Sequence, residues 1–500
     1  MSVKIELPEA FVHEYVTEVL DVRLRGARRH PSRSTSEGGH HPALRVRDVL
    51  SVPSPHPSAR CPVGRDLAVG HHARVAEGLS ARLAREGWVL PDYDGHGLAN
   101  VPGSVLAALG ARDERDIAPL RDLDAALTDG VRQVVVVLAD GLGLGQLERL
   151  CAHGDLPFIA SLVARARTRR GRSSPDGVQL LEATSVFPST TAAAITTLNT
   201  ARTPQEHGNI AYYCWLEEFG QVTQMLRWGP ATARRGSWFD DPRLDPARYR
   251  QVTSIHARLR ERGARSYVIE PEAFRHEAMT RMHAAEAEYL GYVLPSSMGV
   301  RLRQLLDQRP WGSGLAYVYA YWAGIDTAGH LHGPRSPEHA SEAALLDRDL
   351  ERALGSRSAG DTLVLLTSDH GHAEVDPAKL IDLVGDAELR SLLRAPIAGE
   401  PRLAFLHTER AAEVRAHLER RWPGAFTLLD RDECLAAGLF GRGDTSVARR
   451  RVGDVVAMVS GDRAAEIVRV EGAAGVAHHR GAHGGLSADE MRIPILAWRA

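Results

Sequence analysis

Three apolar runs, each followed by an aspartate, constrain the fold of this chain more than any other feature. The runs span residues 134–138, 315–322 and 362–367. Short, continuous apolar runs bounded by glycine and polar residues are typical of strands buried on both faces of a parallel sheet. The carboxyl ends of parallel strands meet at one edge of the sheet, where open α/β folds place their ligands. The aspartates that follow the runs are therefore expected to lie at that edge.

Histidines accompany these aspartates and make the same edge a candidate metal site. Asp326 and His330 are four residues apart, a spacing that places both side chains on one face of a helix. Asp369 and His370 follow the third run almost directly, and His483 lies in a glycine-rich segment near the C-terminus. Carboxylates and imidazoles together are ligands of first-row metals, zinc especially. The pattern therefore predicts a metal site.

A hydroxyl-rich turn before an alanine-rich helix is a second candidate functional feature. Residues 188–198 read PSTTAAAITTL, so Ser189 or Thr190 can cap a helix that begins there. A hydroxyl in the first turn of a helix lies in the positive field of that terminus, where phosphate also binds. From these residues alone, a simple helix cap remains the alternative to a catalytic hydroxyl.

The chain is predicted to divide into an N-terminal extension and one large α/β domain. Residues 1–85 contain a segment rich in arginine, histidine, serine, proline and glycine and are expected to be poorly ordered, apart from short helices. From residue 90 onward, strands and helices alternate up to residue 500. Two insertions, at about 209–314 and 374–477, interrupt this alternation, and the second is interpreted as a small α+β subdomain.

Composition and charge exclude several classes of protein. The net charge of -2 provides no electrostatic footprint for nucleic acid. No apolar run approaches the roughly 18 residues of a membrane helix, and the first residues contain no signal-peptide core. The four cysteines are scattered, which favours reduced thiols and a cytoplasmic location. A dinucleotide site at Gly141, Gly143 and Gly145 is disfavoured because Asp140 precedes them and would repel a pyrophosphate.

Five of these features, in their order along the chain, resemble the alkaline phosphatase superfamily, and the nucleotide pyrophosphatase/phosphodiesterase branch in particular. The resemblance covers roughly residues 90–500, and its segments are Asp140-Gly141, Pro188–Ala192, Asp326–Pro334, Ser368–Gly371 and Ala482–Gly485. It implies an α/β fold, a three-layer α/β/α sandwich with a mostly parallel central sheet and inserted cap and α+β subdomains.

The resemblance also implies two Zn²⁺ ions per chain, with Mn²⁺ or another divalent metal as the alternative. Carried over residue by residue, one ion would be bound by Asp326, His330 and His483. The other would be bound by Asp140, Asp369 and His370.

Matching positions to the family implies Thr191 as the nucleophile, with Thr190 as the runner-up. The family's phosphate-binding asparagine corresponds to Tyr212, which is therefore a candidate substrate-binding residue. Three histidines close to the ligands in sequence are open to outer-sphere, substrate-binding or structural roles, namely His207, His332 and His372.

These features lead to one functional hypothesis and two alternatives. The hypothesis is a metal-dependent hydrolase that cleaves phosphodiester or pyrophosphate bonds of a small-molecule substrate through a phosphothreonine intermediate. Diesters are expected over monoesters, because alanines rather than an arginine follow Thr191. One alternative is a phosphomonoesterase or phosphonate hydrolase on the same fold. The other is a metal-binding protein whose catalysis has decayed.

Overall fold

The computed structural model describes residues 78–166, 177–233, 252–357, 360–470 and 475–500. Besides the helical residues 78–85, the α-helices are Asn100–Ala108, Ala125–Thr128, Leu144–His153, Pro157–Ala166, Thr191–Thr200, Pro204–His207, Ile255–Glu261, Ala278–His283, Met298–Gln308, Gly324–His332, Pro337–Leu354, Ala387–Leu392, Ala411–Arg421, Arg431–Ala436, Ser446–Arg451 and Ala488–Met491. No helix in these described ranges is long and apolar enough to cross a membrane.

The same ranges contain eighteen strands in two large and two small sheets. The strands are β1 Gln133–Ala139, β2 Val178–Thr184, β3 Tyr213–Leu216, β4 Gln221–Gln224, β5 Gly229–Pro230, β6 Arg265–Ile269, β7 Glu288–Tyr289, β8 Ala316–Trp322, β9 Thr362–Thr367, β10 Ala373–Glu374, β11 Ile381–Asp382, β12 Ala398–Glu400, β13 Leu403–Leu406, β14 Phe426–Asp430, β15 Val455–Val459, β16 Ala465–Glu466, β17 Gly481–Ala482 and β18 Arg492–Arg499.

The central sheet has seven strands in the order β2-β18-β9-β1-β8-β6-β7. β1 runs parallel to β8 and β9, and β6 runs parallel to β8 and β7. β18 is antiparallel to both of its neighbours. Every residue of β1, β8 and β9 is buried, as continuous apolar runs predict. The predicted mostly parallel sheet is therefore confirmed.

The register of the central strands aligns their carboxyl ends. Ala139 of β1 pairs with Trp322 of β8, and Leu138 pairs with Thr367 of β9. The residues that follow these three strands therefore start from the same edge of the sheet. This register positions the candidate site.

Apolar cores on both faces of the central sheet produce the three layers. Val134 belongs to one apolar cluster, which includes side chains of the helix Asn100–Ala108. Val135 belongs to another, which includes side chains of the helices Met298–Gln308 and Pro337–Leu354. Because burial of such a side chain contributes roughly 1.5–3 kcal/mol, the alternating valines of β1 hold helices on both faces.

A second seven-stranded sheet, in the order β14-β15-β13-β12-β3-β4-β5, combines the two insertions. β3 to β5 come from the insertion at 209–314, and β12 to β15 come from the one at 374–477. The two halves join where Gly399 pairs with Tyr213. The predicted helix 411–421 is present. The second insertion, interpreted from the sequence as a small α+β subdomain, shares its sheet with the first insertion.

The predicted N-terminal extension, residues 1–85, lies mainly outside the described residues. Residues 78–85 are helical, and Leu79 and Leu83 are buried in the same apolar cluster as Val134. The predicted boundary at residue 85 therefore lies at the end of a helix that packs on the α/β domain. A boundary before residue 78 would include this helix in the domain.

Candidate active site

Four side chains that commonly bind metals gather at the carboxyl edge of the central sheet. Asp326 and His330 lie on the helix Gly324–His332, which begins just after β8. His372 follows β9, and His483 follows β17. One ligand atom from each of the four lies within 4.8 Å of the others. The structure thus brings together three predicted ligands and adds His372. These four residues are called the first ligand group below.

Asp140, Asp369 and His370 form a second ligand group beside the first. Asp140 directly follows β1, and the other two follow β9. All three are buried, and one ligand atom from each lies within 4.8 Å of the others. This is the second predicted set of ligands, and the structure brings all of it together.

Glycines allow the elements that carry the two groups to approach closely. A Cβ atom at Gly141 would lie 2.6 Å from Cε1 of His372 and 2.9 Å from Cα of Asp326. A Cβ atom at Gly329 would lie 2.9 Å from the same Cε1 atom. Gly141 also has a φ angle of +74°, which L-residues rarely adopt. The glycine beside Asp140 is therefore required by both space and backbone conformation.

The donor set fits divalent cations. Asp140 Oδ1 and Asp369 Oδ2 are buried and accept no hydrogen bond within the described ranges, although His370 Nε2 lies 3.6 and 3.3 Å from them. In the first ligand group, the Nε2 atoms of His330 and His483 lie only 3.1 Å apart. Two imidazole nitrogens this close need a shared proton or a metal ion. Aspartate and histidine in such groups are zinc ligands.

The pKa shifts of the two ligand groups also suit a bound cation. Burial, followed by the negative charges of Asp369 and Asp326, raises the pKa of Asp140 well above its usual range. Burial also opposes ionisation of Asp326, but imidazoles, His330 foremost, hold the pKa of Asp326 well below its usual range. Burial lowers the pKa of His483 strongly. Carboxylates and neutral imidazoles crowded together in a buried site are a suitable environment for a cation.

Backbone carbonyls orient two of the histidines. His330 Nδ1 lies 2.9 Å from the carbonyl oxygen of Gly481, and His483 Nδ1 lies 2.9 Å from that of Ser189. Donation from Nδ1 to a carbonyl leaves Nε2 as the lone-pair nitrogen, which is the usual arrangement for a metal ligand. Ser189 makes further bonds to the His483 segment, because its hydroxyl donates to the Gly485 carbonyl and accepts from the Gly484 amide.

Thr191 lies at the second ligand group, as expected for the candidate nucleophile. It is the first residue of the helix Thr191–Thr200, and its Oγ1 lies 3.1 Å from His370 Nε2. The first turn of the helix provides free backbone N–H groups and a positive dipole end, both of which favour an anion. Thr190 occupies the N-cap position, but its side chain makes no capping hydrogen bond. The expectation of a side-chain cap at this turn is therefore wrong.

The structure gives one candidate a closer role than expected and adds two residues that the sequence does not indicate. His372, for which outer-sphere, substrate-binding and structural roles were open, lies in the first ligand group, with its Nε2 3.1 Å from Asp326 Oδ1. Tyr321, in β8, donates its hydroxyl to Asp140 Oδ2. Glu400 comes from the distant β12, and no local sequence signal pointed to it.

The other candidates have different surroundings. Tyr212 lies near the site, with its hydroxyl bonded to Gln224 and its ring against Tyr213 at 4.7 Å. His207 is buried and lies 3.0 Å from the Thr197 hydroxyl, further along the same helix as Thr191. His332 is partly exposed, with Glu338 3.9 Å away.

The fold and the site together define an enzyme of the alkaline phosphatase superfamily that hydrolyses phosphoester bonds. Within that superfamily, the chain belongs to the type I phosphodiesterase/nucleotide pyrophosphatase family, whose sequence model matches residues 134–485. A search of curated proteins found no match.

Solved structures of two enzymes share the fold. Phosphonoacetate hydrolase from Sinorhizobium meliloti 1021, in complex with phosphonoformate, is 16% identical, with 74% of this chain and 90% of that chain covered and a TM-score of 0.53. Murine ectonucleotide pyrophosphatase/phosphodiesterase 5, as an inactive threonine-to-alanine variant in complex with AMP, is 18% identical, with 73% and 88% covered and a TM-score of 0.52.

Proposed function

We propose that this protein is a two-zinc hydrolase that cleaves phosphodiester or pyrophosphate bonds of small molecules through a phosphothreonine intermediate. The observation that carries the proposal is the position of Thr191 Oγ1, 3.1 Å from a histidine of the second ligand group and at a helix N-terminus. The inactive threonine variant of the murine relative supports a threonine nucleophile. Asp326, His330 and His483 would hold one ion, and Asp140, Asp369 and His370 the other.

The residues of the chain have distinct parts in this reaction. Metal ions bound here would supply positive charge that stabilises the attacking and leaving oxygens. Thr191 Oγ1 attacks phosphorus, the ester bond to the leaving oxygen breaks, the proton of the threonine hydroxyl ends on that leaving oxygen, and a phosphothreonine results. Water then attacks phosphorus from the opposite side, and the threonine oxygen leaves with a proton. The first turn of the helix orients the phosphoryl oxygens through its N–H groups.

The surroundings of Thr191 support diesters as substrates. A monoester has one more negative charge than a diester, and such a charge calls for an arginine or another cation nearby. Arg202, the nearest arginine downstream in sequence, pairs with the buried Asp116 instead. Tyr212 and Tyr213 provide an aromatic surface for the second substituent of a diester.

Two other functions are weaker candidates. A phosphonate hydrolase is favoured only by the fold shared with phosphonoacetate hydrolase at 16% identity. A decayed metal-binding protein is disfavoured, because all six predicted ligands and the threonine lie together. A cytoplasmic location remains part of the proposal and is supported by the buried thiols of Cys214 and Cys434, neither of which forms a disulfide.

The test combines metal content with turnover of bis-nitrophenyl phosphate by the full chain. About two zinc ions per chain are expected, with activity lost on chelation and restored by zinc. Asp369→Ala and Asp326→Ala should lose both metal and activity. Full activity of either variant in metal-free buffer would exclude the two-zinc proposal.

A further inference from the structure

Glu400 is a buried acid that reaches the candidate active site from the second sheet. It ends β12, is 2% exposed, and accepts a hydrogen bond at Oε1 from the backbone N–H of Tyr212. β12 meets β3 at the pair Gly399 and Tyr213. The strand pairing that joins the two insertions therefore also sets the position of this acid.

Glu400 lies next to residues that flank both the nucleophile and the first ligand group. A Cβ atom at Gly484, the residue after His483, would lie 2.6 Å from Glu400 Cβ. The hydroxyl of Thr190, the residue before Thr191, lowers the pKa of the carboxyl group, although it makes no hydrogen bond within the described ranges. The acid thus packs against the segments that position Thr191 and His483.

No cation neutralises Glu400 within the part of the chain that the structure describes. The charge that acts on it is the negative charge of Asp326. Arg402, two residues further on, pairs with the buried Glu490 at 3.3 Å. Arg202 pairs with Asp116. An ionised Glu400 would therefore add negative charge to a site that already contains three aspartates.

The surroundings of Glu400 decide its ionisation. Burial holds the pKa of Glu400 at about 8, even though the Tyr212 amide and the Thr190 hydroxyl lower it. The Tyr212 amide is a donor, so Oε1 of the carboxyl group acts as an acceptor. Divalent cations in the neighbouring ligand groups would also lower the pKa of Glu400, because a bound ion is often the largest charge in a site. With cations bound there, Glu400 would therefore be a carboxylate.

We propose that Glu400 is a charge filter that makes the site prefer phosphoryl groups with a single negative charge, as in diesters, over the dianionic groups of monoesters. This inference rests on the proposed function and assigns its substrate selectivity to one residue. A dianion placed near a carboxylate without a cationic partner is repelled about twice as strongly as a monoanion, since the Coulomb energy scales with charge.

The test uses the zinc-loaded full chain and three variants. Glu400→Gln removes the charge and keeps the shape, and Glu400→Asp keeps the charge. Asp347→Asn is the matched control, since Asp347 is another buried acid that accepts from backbone amides, those of Phe158 and Ile159. The measurements are zinc content, kcat/KM for nitrophenyl phosphate and bis-nitrophenyl phosphate, and the Kd of inorganic phosphate by calorimetry at pH 8.

In Glu400→Gln, the ratio of monoester to diester kcat/KM should rise by about tenfold or more. Inorganic phosphate should bind more tightly by a similar factor, at unchanged zinc content. Glu400→Asp and Asp347→Asn should behave like the wild type. If Glu400→Gln does not fold, Glu400→Met replaces it with the same expectations.

An unchanged phosphate affinity, or an unchanged ratio of the two esters, overturns the charge filter. If the wild type hydrolyses neither ester, the proposed function fails on its own. The phosphate titration still decides the role of Glu400 in that case, because it measures binding and not turnover.

Discussion

The hydrogen bond from Tyr321 to Asp140 allows a sharp test of the second ligand group. Tyr321 is 7% exposed and Asp140 is 2% exposed, so the bond between them is shielded from water. A hydrogen bond to a charged group contributes about 1.5–3 kcal/mol. Loss of a partner that orients a metal ligand typically lowers metal affinity by about 10- to 100-fold. Tyr321→Phe should therefore weaken zinc binding by about 10- to 100-fold.

Tyr319→Phe is the matched control for that change. Tyr319 lies two residues earlier in β8 and is 1% exposed, and its hydroxyl has no hydrogen-bond partner within the described ranges. Removal of an unsatisfied buried hydroxyl should leave zinc affinity unchanged and stability equal or higher.

Zinc affinity is measured by competition with a chelator, together with the melting temperature of each variant. Wild-type zinc affinity in Tyr321→Phe would refute the reasoning. An equal loss in both variants would refute it as well, because the loss would then reflect packing in β8 and not the bond to Asp140.

Three further predictions concern the nucleophile, a buried acid and the N-terminal helix. Thr191→Ala should lower turnover by roughly 10³-fold or more at unchanged zinc content. Thr190→Ala should lower turnover much less, because the Thr190 hydroxyl makes no capping bond. The reverse ranking in steady-state kinetics would move the nucleophile to Thr190. Burial raises the pKa of Glu270 from 4.5 to about 7, so the folded chain binds the proton of this carboxyl group more tightly than the unfolded chain. The free energy of unfolding should therefore decline as the pH rises between those two values. Glu270→Gln should flatten that decline in urea titrations, and an unaltered pH profile would contradict this. A chain that begins at residue 88 should be less stable than one that begins at residue 78, because it loses the buried Leu79 and Leu83; equal melting temperatures would show that this helix is dispensable.

The sequence predicted the parts of the site that follow directly from strands. A buried parallel strand has a distinctive continuous apolar pattern, and the residue after it starts from the carboxyl edge of the sheet. Asp140, Asp326 and Asp369 were found in this way, and all three lie at that edge. The i, i+4 spacing correctly placed His330 on the same helix as Asp326. Local periodicity sufficed here because strand and helix geometry fix these directions.

Other contributions to the site have no local pattern in the sequence. His372 lies in the first ligand group because the glycines at 141 and 329 leave room for its ring. A sequence motif shows that His372 is close to His370 in the chain, but it does not give the orientation of the ring. Glu400 lies near the turn that precedes Thr191 because β12 pairs with β3, and this pairing connects segments almost 190 residues apart.

The amino-acid sequence by itself predicted the parallel strands of the central sheet and the aspartates that follow them, because both depend on local periodicity. The full set of six proposed ligands and Thr191 as the nucleophile were implied by short motifs that resemble the family. Only the tertiary structure decided that the two insertions share one sheet, that Tyr321 bonds to Asp140, and that Glu400 lies beside the residues flanking Thr191 and His483. Those contacts depend on how distant strands pair, and strand pairing is set by the packing of the whole chain.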